Sequence, residues 1–387
     1  MNRLLLPVLL FVVATGCGDA EPDAATEAVA PTEVVVVGTQ PFITDMPEGY
    51  TPGHLRALLD KIKPDLIAIE AATNVSRPMA SAPYECRHVT IPWAREHEIP
   101  VVAVGLLEKD YGRQIEAMKT GLRAEGRDAA FEIIEEQLQR RLNSMGRSID
   151  ALNTNDWQQA WRTYHDQLHR LVGADTPWEV WNERVTRKLR KLCEDHPGKR
   201  IAVVFGAGHT YYFHDALAEL ESVDVKPTAA MLPLSDGDVD RHTTRLDYLK
   251  ALRPLNTAAV SPEALLHCEH LLRHLKGLPD MALDYRLFDG KLQLHAGNYQ
   301  QALNVFDGLA QSAADAISQF DGRHRIVDGA RLGAVLALRA DGRTREAADR
   351  LRIVLADSQI APEVRQFAQE MLNQIADTSL TSAGLSR

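Results

Sequence analysis

Two runs of β-branched apolar residues constrain this chain more than any other feature: VVVV at residues 34–37 and IAVVF at 201–205. Neither alternates with polar residues, so neither suits a strand with one wet face. Unbroken runs of this kind belong to strands buried on both sides, as in parallel sheets covered by helices. The second run continues GAGHT, which places Gly206, Gly208 and His209 directly after a strand and before a helix-compatible segment. In open α/β sheets, ligands sit beyond the carboxyl ends of the strands. An imidazole therefore stands where such folds keep their chemistry, beside glycines that let backbone or ligand approach closely. The first run ends VGTQPF, with Gly38 and Thr39 at the equivalent edge and Pro41 near the place of a second strand-end His.

Further strands alternate with helices. Residues 52–63 carry Leu55, Leu58, Leu59 and Ile62 at helical spacing, with Pro52 suited to a first turn. DLIAIE at 65–70 is a second strand ending in Glu70. Residues 84–97 read as a helix that Pro92 must kink or restart. PVVAVG at 100–105 is a third strand. Strands separated by helices of this length imply a parallel sheet. Between 109 and 194 no strand is evident; segments 114–142, 156–172 and 177–193 predict three helices, anchored by Trp157, Trp161, Trp178 and Trp181. Residues 222–252 are turn-rich, with a short strand at 223–225, and the chain reads helical from 261 to 376.

Within that last stretch, Gly297, Tyr299, Ala302 and Phe306 follow one another as do Gly342, Ala347 and Leu351. A small residue at a tight turn and another at a helix crossing, with a large one a turn later, resemble tetratricopeptide repeats. The two glycines are 45 residues apart, against a repeat of roughly 34. A divergent array of helical hairpins is the reading; a plain helical bundle is the alternative. The predicted class is α/β, a mostly parallel sheet with flanking helices and a helical insertion, followed by an all-α domain.

The chain opens MNRLLLPVLLFVVATGCGDA. Arg3 forms a positive n-region and residues 4–13 a short apolar run, below the roughly 20 residues needed to span a bilayer. Ala14-Thr15-Gly16-Cys17 resembles a bacterial lipoprotein signal in which Cys17 becomes the lipidated terminus; ordinary secretion with cleavage nearby is the alternative. The expected divisions are 1–16 signal, 17–32 flexible tether, 33–255 α/β domain with an insertion at about 109–195, 261–376 helical domain, and 377–387 disordered tail. The expected place is the cell envelope, lipid-anchored and facing the periplasm or exterior, with a protein partner on the helical domain. A net charge of −10 offers no basic footprint for nucleic acid. Cys86, Cys193 and Cys268 read as small buried residues.

Three sets of side chains could carry chemistry. The first is Glu70, Glu85 and His209, carboxylates and an imidazole fit for general base work or for holding a metal. Its structural alternative is helix capping by Glu85 and an ion pair of Glu70 with Arg87 or Arg184. The second is His165-Asp166-Gln-Leu-His169, with the i, i+4 histidines of a zincin helix; an exposed helix face is the alternative. The third is His267, Cys268, His270 and His274, of which 267, 270 and 274 share a helix face; a solvated polar face is the alternative. No phosphate-cradling glycine loop and no Gly-x-Ser-x-Gly elbow occurs.

Four blocks in order resemble the TraB/PrgY/GumN superfamily, which contains the TIKI proteases and is related to erythromycin-esterase and ChaN-like proteins. They are VVVVGTQPF (34–42), DLIAIE (65–70), YECRHVTIPWAREHEIPVVAV (84–104), and WNERVTRKLRKL with IAVVFGAGH (181–192 and 201–209). The resemblance covers residues 33–220 and implies hydrolysis of a peptide or ester-like substrate, with a divalent metal. By position it implies a functional carboxylate at Glu70, a helix-opening Glu at Glu85 with Arg87 two residues on, and the last His at His209. It sets Glu183-Arg184-Val185 on an ERD-type motif whose acidic third position is lost, and Pro41 on the first His. Gly38, Thr39, Arg87, Glu183, Gly206 and Gly208 would line the ligand. Water would be activated by Glu70 or Glu85 and negative charge stabilised by His209 and Arg184, with Glu70 and His209 as metal candidates. Gln40 and His54 are the residues left to replace the missing imidazole. A non-catalytic binding module is the other reading.

Overall fold

A computed structural model describes residues 30–40, 46, 49–71, 82–105, 111–173, 175–313 and 316–384, with side chains as far as 376. The signal, Cys17, most of the tether and Pro41 lie outside the described residues.

Five strands form one sheet: β1 (Thr32–Thr39), β2 (Leu66–Ile69), β3 (Val101–Ala103), β4 (Arg200–Gly206) and β5 (Val223–Lys226). Their order is β3-β2-β4-β1-β5 and every pair is parallel. The two apolar runs are the central strands, paired Val34 with Ile201 through Thr39 with Gly206. Successive side chains point to opposite faces of the sheet, so each run feeds two cores. Val35, Val37, Ile67, Ile69, Ala202 and Val204 face one side. Val34, Val36, Ala68, Ile201, Val203 and Phe205 face the other.

The first core is covered by α1 (Pro52–Ile62), whose Thr51 cap and Lys63 left-handed stop frame a stripe of Leu55, Leu58, Leu59 and Ile62. The helix opening at Tyr84 passes through a π-turn at Cys86–Thr90 into α2 (Ile91–Glu96). Pro92 has no N–H to give its i−4 carbonyl, and the Ile91 N–H reaches back to Cys86 O instead. The proline thus widens the helix rather than ending it.

The insertion comprises α3 (Tyr111–Ala124), α4 (Asp128–Met145), α5 (Ile149–Leu152), α6 (Asn155–Val172) and α7 (Pro177–Asp195). The single helix predicted over 114–142 is two, broken at Gly126, which takes φ 69°. Helices α3 to α6 add Leu122, Phe131, Leu138, Leu152 and Trp157 to the first core. Helix α7 crosses to the other face, where Trp181, Val185 and Leu189 pack with Phe213 and Leu217 of α8 (Thr210–Ala218).

The turn-rich stretch folds into α9 (Asp236–His242) and α10 (Arg245–Ala251). Helices α11 (Pro262–Arg273), α12 (Ala282–His295), α13 (Tyr299–Ser312), α14 (Ile326–Ala340), α15 (Thr344–Ala356) and α16 (Pro362–Gly384) follow. Gly297 and Gly342 take φ 81° and 78° at the α12–α13 and α14–α15 turns. The Phe306 ring lies where a Cβ on Gly290 or Gly333 would come within 2.6 or 2.5 Å of it, so both positions require glycine for close helix approach. A core of Leu249, Leu252, Leu255, Leu271, Leu272 and Phe288 spans the 255/261 boundary set from sequence. The last helix runs to Gly384, beyond the limit of 376 where the sequence sets a tail.

Candidate functional site

The carboxyl edge of the sheet gathers polar side chains from strands distant in sequence. Thr39 ends β1, Glu70 follows β2, and Gly206 ends β4. Gly206 N–H donates to Glu70 Oε2 at 3.1 Å. The Thr39 hydroxyl lies 3.2 Å from Glu85 Oε1 and 3.1 Å from Phe205 O. Glu85 is buried, and its Oε2 has no hydrogen-bond partner. Tyr50 accepts from Gln40 N at 2.7 Å, and Asn153 clamps Gly38 by accepting from its N–H at 2.7 Å and donating to its carbonyl at 3.2 Å. Burial pushes Glu70 up to about 7; the Gly206 N–H opposes this and the neighbouring Glu85 adds to it. Burial likewise raises Glu85, with the Thr39 hydroxyl among the opposing contacts. Cys86 is driven up by burial and by both carboxylates, which makes it a poor nucleophile.

Around the corner of β4 the environment changes. His209 and His165 are both buried, and the Trp178 ring lies 4.7 Å from His209 and 5.5 Å from His165. Trp181 approaches His209 to 4.4 Å, while Trp161 and Tyr211 each stack 5.8 Å from His165. His209 Nδ1 meets Asn182 Oδ1 at 2.6 Å. Burial, helped by His165, lowers His209 to about 3; burial lowers His165 to about 4 against the pull of Glu179. Both rings are neutral at pH 7. The structure places His209, expected to stabilise negative charge, in an aromatic box with its Nδ1 on Asn182. The expectation of an exposed face at His165 is corrected, since the indoles of α6 and α7 enclose it.

The structure brings Glu70, Glu85, Thr39 and Gly206 together. A Cβ at Gly206 would lie 3.4 Å from Glu70 Oε2 and 3.6 Å from His209 Cδ2, so the carboxylate and the imidazole flank the same glycine. Gly38 and Gly208 serve packing: a Cβ would come within 3.1 Å of Leu152 O at the first and of the Trp161 ring at the second. Glu183 is exposed on α7 and faces Arg187 at 4.0 Å. Arg184 is half-buried on the same helix. Arg87 is exposed, with Nε 3.0 Å from His88 Nε2. His54 completes a capping box with Thr51 and lines a separate cavity of about 630 Å³ with Asp240, His270 and His274. There Tyr248 stacks on His274 at 4.3 Å.

No third His, Cys or carboxylate ligand atom joins Glu70 and His209 at metal-binding spacing among the described residues, so the expected metal site lacks a full ligand set. Among the described residues, three ligand atoms converge only elsewhere, at His169, Asp175 and Glu179. Sequence reasoning missed Asn153, Asn182, Tyr50 and the aromatic box as such. Asn182 had a signal, since it sits inside the WNER block; Asn153 and Tyr50 had none, because only the fold brings them to β1.

Comparison with family models, with curated proteins and with solved structures returns no match for this chain.

Proposed function

We propose that this chain is an envelope lipoprotein whose α/β domain, related to the TraB/PrgY/GumN superfamily, hydrolyses a peptide or ester-like substrate without a metal at Glu70. The observation that carries the reading is the pair of carboxyls at the sheet's carboxyl edge, Glu85 buried and Glu70 half-buried, with Glu70 poised at about 7. A base with such a pKa balances availability against proton affinity near neutral pH. Glu70 takes a proton from water, the hydroxyl adds to the carbonyl carbon, and the C–N or C–O bond breaks. Glu70 then returns that proton to the leaving group, while the neighbouring Glu85 carboxylate keeps the Glu70 pKa raised. Cys17 carries the lipid, residues 17–32 span from the membrane to the domain, and the tetratricopeptide-like helices present a partner surface.

The test is a peptide and ester substrate screen with the full chain, Glu70→Gln and Glu85→Gln. Activity that both variants lose supports the reading, and activity that both keep refutes it. A binding scaffold is the second reading, favoured by Leu266, Ile353 and Phe367 exposed on α11, α15 and α16. Substitution of these three would then abolish partner capture while Glu70→Gln leaves it intact. Mass spectrometry of the N-terminal peptide, against Cys17→Ala, tests lipidation.

A further inference from the structure

We infer that the hairpin between α6 and α7 is a binding site for a divalent transition-metal ion, with His169 Nδ1, one carboxylate oxygen of Asp175 and one of Glu179 as ligands. The three ligand atoms lie within 4.8 Å of one another, and His169 Nδ1 is 2.9 Å from a Glu179 oxygen. Two ligands of a tetrahedral ion with bonds of 2.0–2.1 Å stand about 3.3 Å apart. Closing the set around an ion therefore asks for shifts of no more than about an ångström in three side chains.

The local structure supplies the convergence. Gly173 stops α6 in a left-handed turn with its N–H on His169 O at 2.7 Å, which fixes the helix end bearing His169. Thr176 caps α7, and Glu179 returns its other oxygen to Thr176 N at 2.6 Å. That second bond orients the carboxylate and leaves the first oxygen facing the imidazole, the arrangement by which outer contacts hold metal ligands in place. Asp175 is exposed, His169 and Glu179 are half-buried, so the ion keeps open positions for water.

One imidazole and two carboxylates select first-row ions such as Zn²⁺, Co²⁺ or Mn²⁺ over Mg²⁺ and Ca²⁺, which favour all-oxygen sets. The site is distinct from Glu70 and Glu85. Its effect would be structural: helix α6 carries His165 and Trp161, helix α7 carries Trp178, Trp181 and Asn182, and the ion would pin the two together beside the box that holds His209.

The experiment titrates the full chain with Co²⁺ and follows the visible d–d absorption, then repeats it with His169→Ala, Asp175→Asn and the control pair His270→Ala/His274→Ala. One equivalent of Co²⁺ is expected in the wild type and in the control pair, with at least tenfold weaker binding in His169→Ala and Asp175→Asn. Metal-dependent rise of the melting temperature should follow the same pattern. Retention of the Co²⁺ spectrum in His169→Ala, its loss in the control pair alone, or no spectrum at millimolar Co²⁺ overturns the assignment. Hydrolase activity of Glu70→Gln is read separately, so the two proposals fail independently.

Discussion

Glu70 and His209 stand on either side of Gly206, yet burial does opposite things to them. Taking a charge out of water disfavours the ionised form. For Glu70 that means a pKa raised to about 7, inside the range where a base is useful. For His209 and His165 it means about 3 and 4, far below it. One desolvation effect thus readies the carboxyl and silences the imidazoles. The partners differ as well: Glu70 and Glu85 touch a backbone N–H and a hydroxyl, whereas the imidazoles are met by indole faces and, at His209, by the Asn182 amide oxygen. The difference teaches that two residues ending neighbouring strands can meet opposite surroundings: the strand-end His sits among indoles, and the strand-end Glu against a backbone N–H.

The largest effect that would break this contrast is kinetic. Glu70→Gln should lower hydrolysis by roughly 10²–10⁴-fold, and His209→Phe by less than about tenfold; equal losses in steady-state assays would erase the distinction. In denaturant melts the order should reverse, with His209→Ala costing about 2–4 kcal/mol through its cavity in the aromatic box. The pH dependence sharpens the comparison further. A lowered His pKa contributes stability that is complete above about 6.5 and lost as pH falls toward about 4. His165→Phe, which forfeits no hydrogen bond because both ring nitrogens lack partners, should therefore gain about 2–3 kcal/mol on the wild type at pH 4 and little at pH 8. Glu70 runs the other way: its raised pKa contributes stability complete below about 4.5 and gone above about 7. Glu70→Gln should be more stable than wild type at pH 8 by the order of 1–2 kcal/mol, allowing for its partial exposure, with the gain fading by pH 4.5. The smallest effect concerns Thr39→Val, which removes the hydroxyl beside Glu85. It should cost about 1 kcal/mol and move the acidic residue's titration, followed by carboxyl infrared bands, still higher.

Much of the fold was legible because the strands are continuous apolar runs and the helices have clear starts. Val34–Val37 and Ile201–Phe205 could be hidden only in a doubly covered sheet, and Pro52 marks a helix start that the backbone obeys. Gly297 and Gly342 marked hairpin turns for the same local reason, since a left-handed residue favours glycine. Less was legible where a residue had two local uses. Gly126 split a helix whose periodicity continues across it, because the apolar stripe resumes on the far side. Pro92 widened a helix instead of breaking it. His165 looked solvent-facing by spacing alone, since one helix cannot show that another brings two indoles over it.

The sequence by itself determined that this chain builds a parallel sheet with Glu70 and His209 at one edge, because side-chain period and backbone chemistry are local properties. Tertiary structure alone decided what those residues are able to do. Charge state depends on how much water and which dipoles surround a group, and those surroundings come from Asn182, Trp178, Thr39 and Gly206, which lie far from Glu70 in the sequence or on separate elements. The same holds for His169, whose two carboxylate neighbours stand near it only because α6 and α7 fold back as a hairpin.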